Sequence, residues 1–488
     1  MLQRSLTRLP APRRIALSLG SLTIASLAVA CGMYTSPGTM NTPATRQQST
    51  VQFRIGDSPA DRVLSFEITI GPITLTPDTG AAVTILSGVQ RVELSHLSAT
   101  SAPLSVLSIP QGTYRSATIT VAQPEVTFLN SAGQVQQIAP AFNQTITINF
   151  SPSLSIGTSS LVSIDLNIAK SLTFDAQGNP TGVNLDAASF RLSSAAVGEM
   201  NRQNDDDGQL EDTTGTITAV NGTSFTLTVS QTGAMLMFAT DGNTQFKDGA
   251  ALTVNTIVMV DGVTRPDGTL YAAKVEGIEN ETGEEAEGLI TAVGGTPAAT
   301  LTIVMDERTG SATANAVGNT LTAAISNAQF VVDDGNIDTS GIGGLPSPPE
   351  FSFDASTVHA GQRVQLESKE AEHEAAQAQE ENGGGGDNGG TAATLTAEKV
   401  RLLQQTLVGT VSGLSSSTSA GPVTLTLTVA SDSAFAMLSG QTQVKVFWQA
   451  GTDLKDMTSV SNGDTIRVRG LVFNTGTGFN MIARRIAN

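Results

Sequence analysis

Apolar residues alternate with Thr and Ser along most of this chain. Phe225, Leu227 and Val229 take every second position, as do Val423, Leu425, Leu427 and Val429. A period of two turns one face of an extended strand to a core and the other to water. Between 50 and 197 the same alternation predicts strands at 51–55, 63–73, 92–97, 114–121, 144–150, 161–168 and 189–192. Asn130-Ser-Ala-Gly-Gln134 and Asp175-Ala-Gln-Gly-Asn-Pro180 supply turn chemistry between them. Seven or more short strands at this spacing predict a β-sandwich over 50–197.

Past residue 214 the pattern repeats. Leu270-Tyr-Ala-Ala-Lys-Val275, Leu395-Thr-Ala-Glu-Lys-Val400 and Met481-Ile-Ala-Arg-Arg-Ile486 each read apolar, any, Ala, any, basic, β-branched. Each closes a unit opened by a glycine and a short apolar run, at Gly215, Gly288 and Gly409. Three β-modules follow, at 215–278, 288–403 and 409–488. Phe246, Phe330 and Val444 serve as anchors for one equivalent strand. Closure into a small barrel is the natural way for so short a sheet to hide its edges. The repeated Lys274, Lys399 and Arg485 are expected at the barrel rim, guarding an edge or snorkelling over the surface. The predicted fold class is therefore all-β: an N-terminal β-sandwich followed by three small barrel-like modules, the middle one with long loop insertions.

The middle module is about twice as long as the first. One insertion contains Gly341-Ile-Gly-Gly-Leu-Pro-Ser-Pro-Pro349 and reads as an irregular loop. Another runs from Glu367 to Glu381 and on through the glycine-rich 383–390. Its first half has good helix formers but no apolar stripe, so a helix there would be solvated and marginal. Both read as decorations that leave the module intact. Glu367, Glu370, Glu372, His373 and Asp387 are the candidate partner-contact residues of this loop.

Two resemblances follow from these motifs. The Gly56-Asp-Ser-Pro-Ala-Asp61 turn between strands, with the later Leu161-Val-Ser-Ile-Asp-Leu-Asn-Ile168 segment, resembles domain-of-unknown-function family 4382. The repeated module resembles domain-of-unknown-function family 5666, found repeatedly in exported bacterial proteins. It covers 215–278 well, 409–488 fairly, and 288–403 once the insertions are removed. Neither resemblance implies an activity.

The N-terminus adds a location. Arg13-Arg14 precede an apolar run from Ile15 to Ala30, too short for a comfortable membrane span but suited to a secretory signal over 1–30. The run ends Leu27-Ala-Val-Ala-Cys31-Gly32, which resembles a bacterial lipobox. Cys31 is the only cysteine, so no internal disulfide exists and lipidation gives it a role. The rival is ordinary secretion, since Ala28-Val29-Ala30 also fits the A-x-A rule. Gly32 after the cysteine resembles lipoproteins sent on to the outer membrane; otherwise the protein would be periplasmic or extracellular. Residues 31–49 read as a flexible tether. The expected membrane partner is reached through this lipid anchor.

Charge and scattered side chains narrow the function. With 44 acidic against 26 basic residues, the field repels polyanions, so nucleic acid is not an expected partner. The acidic stretches 198–214 and 279–287 read as solvated linkers. In the first, placing Gly208 sixth puts Gln203 and Thr214 at the first and last EF-hand ligand positions, so the calcium register fails and no metal is assigned. The three histidines, His96, His359 and His373, read as surface residues, with no G-x-S-x-G turn and no second zinc-helix histidine. No cofactor motif and no catalytic residue is assigned.

The expected function is a non-catalytic, lipid-anchored envelope protein that binds or scaffolds, with other envelope proteins or polysaccharide as candidate partners. Two alternatives stand beside it. A carbohydrate- or small-ligand-binding protein predicts convergent polar and aromatic residues at a barrel mouth. An envelope hydrolase predicts carboxylates converging in a cleft with raised pKa values.

Overall fold

The computed structural model describes residues 47–487, apart from 59–60, 98–100, 198–208, 278–284, 310–316, 334–336, 338–341, 343–349, 369–393 and 416–422, and single positions 231, 248, 266 and 456. Nearly every predicted alternation becomes a strand. Val51, Phe53 and Ile55 of Gln48–Ser58 meet Phe66, Ile68 and Ile70 of Val63–Pro77 in one core. Two sheets face each other across it. One has the order Phe190–Ala196, Ser159–Asn167, Gln48–Ser58, Ala102–Pro110. Its two middle strands run parallel. The other is built on the long strands Val63–Pro77 and Gly112–Leu129. The expected sandwich is present, and the fold class is all-β throughout.

The first and middle modules share one topology. In the first, the sheet order is Met235–Ala239, Ser224–Val229, Gln209–Asn221, Ile257–Thr264, Leu270–Gly277, Gln245–Lys247. Ala239 returns to pair with Tyr271 and closes the ring. In the middle module Thr320–Ala324, Thr300–Thr309, Glu285–Gly294, Arg363–Ser368, Thr394–Leu402 and Gln329–Val332 follow in the same order. Thr322–Ala324 pair with Thr394–Thr396 to close it. The third module is a closed barrel of five strands.

In that barrel one long strand, Gln443–Lys455, replaces two. It pairs in parallel with Phe479–Ala487 first at 444–448 and again at 453–455. The anchor at Val444 therefore needs correction. Val444 lies opposite Leu427 as Leu236 lies opposite Leu227. The counterpart of Phe246 is Leu454, each paired with the β-branched residue of the closing strand.

The opening glycines have one physical cause. A Cβ at Gly215, Gly288 or Gly409 would sit 2.4, 2.1 or 2.6 Å from the carbonyl oxygen of Thr228, Val304 or Thr428 on the neighbouring strand. Backbones approach closely there, and only glycine fits.

Residues 46–488 form one compact unit, and the modules dock on the sandwich. Gln52 and Arg54 lie buried in Gln48–Ser58 because the first module covers that face: the Thr264 hydroxyl donates to Gln52 Oε1 at 2.6 Å. Thr127 Oγ1 donates to the Gly318 carbonyl of the middle module at 2.7 Å, and Ala434 N in the third donates to the Asp61 carbonyl at 2.6 Å.

The linker expectation changes with this. The strand Gln209–Asn221 begins inside 198–214, and Glu285–Gly294 begins inside 279–287. Glu285 is buried there because neighbouring strands supply its partners.

The first insertion is also more than decoration. Phe351 and Phe353 are buried, and the Phe351 ring stands edge-on to Phe447 at 5.1 Å and Phe473 at 5.5 Å in the third module. Leu471 and Ile482 join the same core cluster. Two alternating rings gain more from a shared core than from water.

Candidate functional site: charged junctions between the domains

The repeated base of each closing strand is ion-paired, not placed at a rim; Lys274 and Arg485 are buried and Lys399 half-buried. Lys274 Nζ lies 3.2 Å from both Asp261 Oδ2 and Glu276 Oε2. Lys399 Nζ lies 2.7 Å from Glu367 Oε2. Arg485 Nε lies 2.6 Å from Asp453 Oδ2. In the first two modules the acid stands directly opposite on the antiparallel neighbour. In the third, Arg469 occupies that place and the acid has moved to the parallel neighbour. Pairing is kept while the acid changes strand. The base alternates with a core-facing Val or Ile and so lies on the other face of its sheet; a charge covered there needs a carboxylate, because an uncompensated buried charge is costly.

Glu367 is thereby corrected. It is the penultimate residue of the strand Arg363–Ser368, buried against Lys399, with Arg401 Nη2 3.5 Å away. It is not a loop contact. Glu370, Glu372, His373 and Asp387 lie outside the described residues, as does Cys31.

A second arrangement joins the sandwich to the middle module. Glu287 lies directly opposite Glu307 across two strands, with Asp306 beside it. Arg363, projecting from the third strand, gathers these charges. Its Nε and Nη2 each lie 2.9 Å from an Asp306 oxygen, and Nη2 is 2.7 Å from Glu287 Oε2. From the sandwich side, the His96 ring bonds to Glu93 through Nδ1. Glu93 also accepts from Phe66 N at 2.8 Å and from the Ser95 hydroxyl at 2.6 Å. His96 is therefore buried, not a surface residue, and so in part is His359, whose ring stands edge-on to Phe479.

Burial and like-charge neighbours set the protonation of this cluster. Burial pushes Glu287 up to about 8; Arg363 opposes the rise, while Glu307 and Asp306 add to it. Burial alone would lower His96, but the bonded Glu93 carboxylate outweighs it, helped by Asp306, so the imidazole titrates above 6.5. Burial would raise Asp306, yet Arg363, paired and hydrogen-bonded to it, holds it below 3.8. Arg363 itself is raised: burial disfavours its charge, but Asp306 and Glu287 favour it more.

The cavities around these charges are small. One of about 70 Å³ is lined by His96, Glu287, Glu307 and Arg363; one of about 140 Å³ lies between His96, Asp306, Gln405 and Phe435. A third, of about 280 Å³, separates the first and middle modules beside Glu276, Glu285, Glu367 and Arg401. All three fall below the roughly 300–1,000 Å³ typical of small-molecule sites. Carboxylates do converge here, and Glu287 has the raised pKa of a potential proton donor, but the space beside it suits water. Among the described residues no group of three or more His, Cys, Asp or Glu is arranged to hold a metal ion.

Sequence reasoning found the repeated bases but missed their partners, and it missed Arg363, Asp306, Glu93 and His96. One signal was present: Glu285, Glu287 and Glu307 sit at strand positions flanked by apolar alternation, where a solvated linker would not place them.

Comparisons with known proteins agree with the domain reading. Residues 48–185 match the family model described as domain of unknown function DUF4382, and residues 214–276 match domain of unknown function DUF5666. No curated protein matches the chain. Among solved structures, Drosophila Unr CSD456 aligns at 10% identity over 56% of this chain and 95% of its own, with a TM-score of 0.12. A score that low carries no argument about fold.

Proposed function

We propose that this is an exported, non-catalytic envelope protein, lipid-anchored at Cys31, whose four β-domains form a binding and scaffolding body. The observation that carries the reading is the use of charge at the domain junctions. Arg363, Lys399 and Arg485 are spent on buried carboxylates, and the cavities that Arg363 and Lys399 line are small for a substrate. Such pairs hold strands together within a module, a structural role, and Arg401 Nη1, 4.0 Å from Glu276 Oε1, reaches from the middle module to the first. The segment 369–391, which follows the strand Arg363–Ser368 in sequence, is the proposed contact segment. Outer-membrane placement is the expected destination, from Gly32 after the cysteine.

Metabolic labelling with a lipid probe tests the anchor. Wild type should incorporate label and stay with membranes, while Cys31→Ser should do neither; equal soluble release of both would overturn it. Crosslinking and pulldown from intact cells, with and without 369–391, tests the loop as a contact surface. The deletion starts after Ser368 because Glu367 belongs to the barrel.

A further inference from the structure

The outer face of the sandwich breaks a rule of strand pairing. Glu93, Glu67 and Glu125 stand in one row across three adjacent strands, Glu67 being the direct partner of both others. Like charges directly opposite are destabilising, so the row requires compensation. Glu93 receives it from His96 at the junction. Glu67 and Glu125 share Arg91, whose Nη2 lies 2.7 Å from Glu67 Oε2 and 3.0 Å from Glu125 Oε1.

Beside this pair the strand Gly112–Leu129 bulges. The register against Val63–Pro77 slips between Glu67 and Thr69, setting Gln123 and Pro124 against the single residue Ile68. Gln123 has φ +49°, in the left-handed region that a residue with a side chain enters at a cost. Its conformation is fastened from two sides: Arg91 Nη1 donates to the Gln123 carbonyl, and Gln123 N donates to the Phe142 carbonyl at 3.0 Å. The bulge leaves Gln123 exposed, while the half-buried Phe142, packed in part against the sandwich core, lines the same groove as Glu67 and Glu125. Bulges re-aim side chains in this way next to functional sites.

These groups line an open groove of about 870 Å³, a volume of ligand size. Its apolar lining includes Phe142, Pro140 and Pro124. Its walls carry acceptors at Glu67 and Glu125 and mixed donor–acceptor amides at Gln123 and Asn143. Arg91 is occupied in positioning the carboxylates. An aromatic and proline lining with hydroxyl acceptors beside it fits a sugar ring, apolar on its C–H face and hydroxylated at its edge. Two carboxylates against one guanidinium leave the groove negative, which selects against acidic sugars.

We infer that this groove is a saccharide-binding site that takes a neutral sugar chain across Phe142, with its hydroxyls on Glu67 and Glu125. The inference deepens the binding reading above and does not depend on the anchor or on the loop 369–391.

The test is calorimetric titration of the full chain with three probes: cellohexaose, maltohexaose and a hexamer of galacturonic acid. At least one neutral hexamer should bind and the acidic one should not. Glu125→Gln and Phe142→Ala should each weaken binding about tenfold, a change of about 1.4 kcal/mol. Glu125 is about one-third exposed, so its variant should keep the wild-type melting temperature even if Phe142→Ala does not. Deleting 369–391 should leave the affinity unchanged. Binding by neither neutral hexamer, preference for the acidic one, or wild-type affinity in Glu125→Gln would overturn the inference. Any of these would leave the anchored scaffold intact, whereas loss of membrane retention without loss of sugar binding would do the reverse.

Discussion

The middle module meets two of its neighbours through opposite kinds of surface. Toward the third module it offers rings: Phe351 stands between Phe447 and Phe473, over Leu471 and Ile482. Toward the sandwich it offers charges: Arg363 holds Asp306 and Glu287, with His96 and Glu93 across the junction. The apolar contact gains from area removed from water, with no demand on protonation. The charged contact must first offset desolvation, and is sound only while every member keeps its partner. The first kind tolerates a change of pH, whereas the second couples the fit of two domains to it.

Substitutions should separate the two. Arg363→Ala leaves the Asp306 carboxylate buried without its cation and should cost about 3–5 kcal/mol, read as a lowered denaturant midpoint. Phe351→Ala empties the ring pocket and should cost a similar ~3–5 kcal/mol, but with the same loss at every pH. If the Arg363→Ala loss were equally independent of pH, the contrast between the two surfaces would fail.

A smaller effect is expected from pH itself. Glu287 keeps its proton in the folded protein up to about 8, against 4.5 ordinarily. Its stabilising share is therefore whole below the lower value and is lost as pH rises between the two. His96 acts with the same sign, its share present below 6.5 and lost as pH climbs through its raised folded value. Asp306 acts oppositely, its share present above 3.8 and lost in acid as pH falls through its lowered value. The melting temperature should thus fall between about pH 5 and about pH 9, and Glu287→Gln should flatten that fall. An unchanged slope in the variant would remove Glu287 as its source.

The smallest effect belongs to an exposed pair. Arg265 and Asp241, 3.1 Å apart and each about 40% exposed, provide a control. Arg265→Ala should lower the denaturant midpoint least of these substitutions, by an amount that shrinks with added salt.

The strands were legible because their information is local. Phe225-x-Leu227-x-Val229 states its own buried face, and the opening glycines mark where neighbouring backbones crowd. The closing-strand base was legible as a repeat but not as an ion pair, since its acid lies on a different strand in the third module from that in the other two. Glu287 was legible as charge and misread as linker, because its cation, Arg363, is far away in sequence. His96 could not be read as buried until the middle module was known to cover it. Phe351 carried a signal of its own: two phenylalanines, at 351 and 353, alternating with polar residues inside an insertion otherwise rich in Gly and Pro. What escaped sequence reasoning was the docking of domains, which depends on surfaces that meet only after each has folded.

Phe351 also bears on how such a chain avoids error during assembly. Tandem copies of one topology invite strand exchange, since the closing strand of one unit resembles that of the next and neighbouring domains can misassemble. A ring carried by the middle copy alone, fitting between two rings offered by the third, gives that pair an address. Copies built on one plan become non-equivalent, and the order of the array is fixed by a plug and its socket.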